Sequence, residues 1–324
     1  ACDKQIALKL VEVGADGSVA DKSGVTALAL AAEKGLYEVV EAITSKETDA
    51  TTADKQGRTL LHKAASSGDT RTLTLLAEAV GRGKGAAKAD FGAKDQEGNT
   101  PLHLAVLNGH DKVVDSLVKA VGVDFDAANV LGHTPLHIAA KRNDPVTLEK
   151  LIKAGATLKV VAESDGRTPL HSAVLTNAVA ALQILLRYDQ SHQLSLAPDS
   201  KGRTPLHCAA FLGYAPVVRM LADACKETIE SRDKEGSTPL MLACWAKRTT
   251  VVQVLVECGA DCNAKDAGEG QTALHIAAGS GAVDIIELLL TRGVDVNFQR
   301  ASDGYTPLHL AVAQEQEPVV RVLA

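Results

Sequence analysis

Apolar positions along this chain fall into two alternating kinds of block. The first is short and rich in small residues, as in Leu102, Leu104 and Ala105. The second opens on a β-branched pair and continues with Leu or Val at helical spacing, as at Val113 and Val114, Val217 and Val218, Val251 and Val252, and Ile285 and Ile286. Each block is the buried face of a helix. The polar stretch between one couple of blocks and the next carries Asp, Gly and Thr, the residues of turns and helix starts. The pattern predicts helix, turn, helix, hairpin, many times over, and not a chain folded about one centre.

A Thr-Pro-Leu-His signature, whole or slightly altered, sets the register. It begins at Thr26, Thr59, Thr100, Thr134, Thr168, Thr204, Thr238, Thr272 and Thr306, at intervals of 33, 41, 34, 34, 36, 34, 34 and 34 residues. Threonine suits a helix N-cap because its hydroxyl accepts a bond from an amide two or three residues on, and proline fits the first turn. Two residues before each Thr stands a glycine, from Gly24 and Gly57 to Gly270 and Gly304. An unbroken column of that kind implies a turn that needs positive φ. The first helix should end at Gly35, Gly68, Gly109, Gly213 and Gly281, with Asn143 and Asn177 in the same column, since asparagine is the usual second choice for a left-handed terminus.

These residues resemble the ankyrin repeat, whose run of Asp, Gly, Thr-Pro-Leu-His, Ala-Ala, Gly and Gly-Ala-Asp is matched well by residues 95–118 and 233–261. The resemblance covers essentially the whole chain. It implies an all-α solenoid of stacked helix-turn-helix units with β-hairpin turns, curved so that hairpins and first helices line a concave groove. We read residues 1–324 as one array: a partial repeat over 1–20, then repeats at 21–53, 54–94, 95–128, 129–162, 163–198, 199–232, 233–266, 267–300 and 301–324, the last truncated. Neither end shows a clear polar cap, so the reading is a segment of a longer protein. The second repeat is lengthened by Gly81-Arg82-Gly83-Lys84-Gly85-Ala86-Ala87-Lys88, which lacks the strand, helix and spacing of a phosphate-binding loop and reads as a basic surface loop. Residues 188–198 read as a longer hairpin.

Composition narrows the chemistry. A formal charge of −6 disfavours nucleic acid, which is bound through clustered Lys and Arg, and no apolar run is long enough to cross a membrane. Six scattered cysteines suggest a reducing compartment, cytoplasmic or nuclear. Cys208 and Cys244 sit in small-apolar columns of the first helix, and Cys258 and Cys262 have no second ligand pair near them. Seven of ten histidines occupy the fourth signature position: His62, His103, His137, His171, His207, His275 and His309. Helices packed roughly 8–10 Å apart cannot bring such a ladder onto one ion. The resemblance instead gives each histidine a local hydrogen bond and a link to the next turn. Asn263 and Asn297 resemble the family's asparagine hydroxylation sites, and their plain role is to stabilise a turn. With no nucleophile elbow, kinase signature or dinucleotide fingerprint, no enzyme, metal or cofactor is expected in these residues.

What the resemblance implies is a scaffold that binds a protein or peptide segment. The alternative is the regulatory or targeting portion of a larger kinase, acyltransferase or membrane channel. Specificity should lie in columns that vary, namely the residue before each Thr and the end of each first helix. Aromatic residues are 3% of the chain, yet the sole Trp and one of four Phe fall in the same column of adjacent repeats. Leu175, Phe211, Leu212 and Trp245 are therefore expected to form an apolar strip in the groove. Arg167, Arg203 and Tyr305, from the column before Thr, should rim it among acidic neighbours such as Glu235 and Glu269.

Overall fold

The computed structural model describes residues 4–45, 53–80 and 90–324. The Gly81–Lys88 insertion and Cys2 lie outside the described residues. Nineteen α-helices and one short 3-10 helix make up the regular structure there. The chain divides into two compact units, residues 1–164 and 165–324.

The first unit opens with Lys4–Glu12, packed on the second helix of the first repeat, Tyr37–Thr44. Its first helices are Ala27–Glu33, Leu60–Ser67, Pro101–Asn108 and Pro135–Lys141, each packed against the next. The second unit holds first helices Pro169–Leu175, Pro205–Leu212, Pro239–Trp245, Ala273–Ser280 and Pro307–Ala313. Its second helices are Val179–Tyr188, Ala215–Ala224, Thr249–Glu257, Val283–Leu290 and Glu317–Leu323. Small residues let the first helices approach closely: Ala105, Ala139, Ala173, Ala209, Ala243 and Ala277 have no exposed surface. The β-branched pairs fill the layer behind, with Val113, Val114, Val217, Val218, Ile285 and Ile286 equally sealed. Each fully buried Leu or Val in such a layer contributes about 1.5–3 kcal/mol.

The helix starts follow from the signature. In seven repeats the histidine Nδ1 lies 2.8–2.9 Å from the Thr Oγ1. The Thr backbone N–H also donates to the same nitrogen, at 3.1 Å in the third repeat. The other ring nitrogen reaches a carbonyl of the next repeat: His62 to Asn99 and His103 to His133 in the first unit, His171 to Arg203, His207 to Ser237 and His275 to Tyr305 in the second, at 2.9–3.0 Å. A carbonyl can only accept, so Nε2 carries the proton and Nδ1 is the acceptor. Each ring is a neutral bolt between two repeats.

The hairpins are turns and not ladders. In the third repeat the Asp95 carboxylate accepts the amides of Glu97 and Asn99 at 3.0 and 2.8 Å, while the Asp95 amide donates to the Asn99 carbonyl at 3.0 Å. Within each unit backbone bonds then join one tip to the previous one, as from Lys234 to Lys201 at 3.1 Å and from Ala301 to Glu269 at 2.9 Å. The arms are too short for more, and among the described residues only isolated bridges, Ala20 to Thr26 and Ala53 to Thr59, register as β-structure. The nine column glycines all have φ between +70° and +79°. At Gly236 a Cβ would also lie 2.3 Å from the Ala267 backbone nitrogen, so the tips can stack only because that atom is absent.

Residues 188–198 differ from the expected longer hairpin. Asp189, buried at the end of Val179–Tyr188, accepts the amide of Leu194 at 3.0 Å and the amide and hydroxyl of Ser195 at 2.9 and 2.7 Å. A carboxylate gathering three donors winds the extra residues into a tight knot, with Leu194 turned into the core.

Candidate protein-interaction site

The second unit contains a concave pocket of about 480 Å³ over its sixth to eighth repeats. Its wall is an aromatic pair. Phe211, in the last turn of Pro205–Leu212, and Trp245, the last residue of Pro239–Trp245, stack with centroids 5.7 Å apart and planes 20° from parallel. Two residues in one column of adjacent first helices project the same way, and their rings close the gap that the backbones leave. Trp245 remains 63% exposed, an unusual state for the largest apolar side chain.

Arg203 comes down from the hairpin with its guanidinium 6.0 Å from the Phe211 centroid. It is held by Asp233, 3.6 Å from its Nε, and by Glu235 at 4.0 Å. Asp233 is buried, so this pair is partly shielded from solvent. The floor is apolar, made by Met241, Leu242 and Ile276, and the far rim is Gln271 and Asp266. Lys201 and Glu235 complete a rim of mixed charge.

Of the residues expected from sequence, Phe211, Trp245 and Arg203 come together in this pocket. Leu175 and Leu212, half-buried at the ends of their helices, do not line it. Arg167 pairs with Asp165 at 3.1 Å, and Tyr305 stacks on His309 at 5.3 Å with Arg300 over its ring at 5.2 Å; neither lines the pocket. Met241, Leu242, Ile276 and Asp266 also line the pocket and are not among the residues expected from sequence. The readable signal was the column one residue after the histidine, which holds Leu242 and Ile276 and faces the hairpins.

Burial pushes the histidine bolts below their ordinary value, His103 to about 4, and lowers His62, His171, His207 and His275 in the same direction. Burial pushes the Cys208 thiol up to about 11 and raises those of Cys225, Cys244 and Cys262. Among the described residues no helix is long and apolar enough to cross a membrane.

A stack of capped helix pairs with a pocket walled by a stacked aromatic pair belongs to the class of helical-repeat interaction modules. A family model of ankyrin repeats in three copies matches residues 28–129, 85–162, 121–195, 192–266 and 263–324. Among solved structures, the chain is similar to the ankyrin repeat domain of Bcl-3, described as a unique member of the IkappaB protein family. The two are 30% identical with a TM-score of 0.62, over 69% of this chain and 99% of that one. Among curated proteins, none matches in sequence. The chain belongs to the ankyrin repeat family and is a protein-interaction module.

Proposed function

We propose that the protein binds a segment of a partner protein in the concave pocket of its second unit, with Phe211 and Trp245 as the apolar anchor and Arg203 as the group that orients the segment. The observation that carries this reading is the open Trp245 side chain, 63% exposed yet backed by Phe211 and fixed at a helix end above an apolar floor. A rigid aromatic anchor loses little side-chain freedom on binding, which is why such residues dominate interface energetics. Arg203, already paired with Asp233, selects more than it holds. The same reading keeps Cys208, Cys225 and Cys244 as buried free thiols, in keeping with a reducing cytoplasmic or nuclear setting.

The test is capture of partners by the intact chain and by the Phe211→Ala, Trp245→Ala double variant, with circular dichroism on both. A partner that the folded double variant loses, at about 100-fold weaker binding or worse, supports the pocket. Equal capture by both proteins moves the binding site elsewhere on the module.

A further inference from the structure

The column that carries Phe211 and Trp245 runs on, 34 residues later, to Gly279. One face of the indole is taken by the Phe211 ring. At Gly279 a Cβ would meet nothing within 4 Å. The ladder of side chains therefore stops at Trp245 and leaves an open slot where its third rung would stand. Ile276, one helical turn before Gly279, lines the pocket.

The charges around the slot differ from one side to the other. On the Gly279 side stands Asp266, whose Oδ1 accepts the amides of Gly270 and Gln271 at 2.7 and 3.0 Å and whose Oδ2 bonds to nothing among the described residues. Glu235 adds a second carboxylate, with its side chain 72% exposed. On the opposite side Arg203 is committed to Asp233 and Glu235, and Lys201 is the one basic group left over in the pocket. Among the residues that line the pocket two carboxylates (Glu235, Asp266) stand against two cations (Lys201, Arg203), and with Arg203 drawn to Glu235 and the buried Asp233, Asp266 is the carboxylate without a cationic partner. An indole face is the negative side of its quadrupole and attracts a cation laid over it. An acidic side chain would meet that face and Asp266 together. An apolar one would cover Asp266 without pairing its free oxygen.

We propose that this slot receives a lysine or arginine side chain of the partner segment, its stem on Ile276 and its cationic head between the Trp245 face and the Asp266 carboxylate. The proposal rests on the pocket reading above and adds the chemistry of what enters it.

Short random peptides displayed on phage are selected on the full chain, with Trp245→Ala as the counter-selection. Enriched peptides are synthesised and titrated by the fluorescence of Trp245, the only tryptophan. The expected result is one position fixed as Arg or Lys, at which citrulline or norleucine weakens binding about tenfold or more. Gly279→Leu removes no group and improves the helix, so it should stay folded and still abolish binding by filling the slot, while Gly279→Ala retains binding. An apolar or acidic residue at the fixed position, or full binding by Gly279→Leu, overturns the proposal and leaves the pocket reading standing. Failure to enrich any Trp245-dependent peptide overturns both.

Discussion

At the scale of single residues, the chain shows how much of a left-handed turn can be read from composition. Gly213, Gly281, Asn143 and Asn177 adopt positive φ where the sequence led us to expect it. Lys247 and Glu315 occupy the same column at φ of +55° and +54° and gave no such warning, because their side chains do not favour that conformation and only the surrounding repeat imposes it. Lys247→Gly should relieve the strain and stabilise the chain by about 1 kcal/mol, seen as a higher denaturant midpoint. The site was legible in a similarly partial way. Phe211 and Trp245 stand out as candidates because aromatics are scarce here and these two share a column. Met241, Leu242 and Ile276 do not, because an apolar groove floor and an apolar core use the same residue types.

At the scale of elements, each repeat is held to its neighbour by a few recurring bonds, and variation in them has local consequences. The knot at residues 188–198 depends on Asp189. Asp189→Ala would leave two amides and a hydroxyl without their acceptor and should cost about 3 kcal/mol, measured by chemical denaturation, with Asp189→Asn costing less. The seventh repeat has Met241 where most others have histidine, and its sulfur only accepts the Thr238 amide at 3.4 Å. Among the described residues no side chain reaches the Gln271 carbonyl of the eighth repeat, which accepts only the Asp266 amide. Met241→His should supply that bond through its Nε2–H and add about 1 kcal/mol to stability, with greater hydrogen-exchange protection in Ala273–Ser280. The starts of the first helices were readable from the Thr caps, and most of their ends from the Gly and Asn column. The knot was not, since nothing local distinguishes an aspartate that gathers three donors from one in an ordinary turn.

At the scale of the whole molecule, the buried histidines make folding sensitive to acid in both units. Their unfolded value is near 6.5, and burial depresses the folded one, to about 4 for His103. Between those values the unfolded chain binds more protons, so stability is full above pH 6.5 and falls as pH drops toward 4. His103 alone would account for a loss on the order of 3 kcal/mol. Thermal melts across that range should show a steep decline, and His103→Ala should flatten it while lowering stability at neutral pH. Protonation strikes Nδ1, which already accepts the Thr100 amide, so each added proton both breaks a helix cap and charges a sealed interior. The missing bolt at Met241 has a different consequence. It lies in the floor of the pocket, at the junction that a guest beside Trp245 would straddle. Such a guest would act as a removable pin, so that the stiffness of the solenoid at this joint would be set by occupancy, and a cell could loosen or brace it without altering a residue.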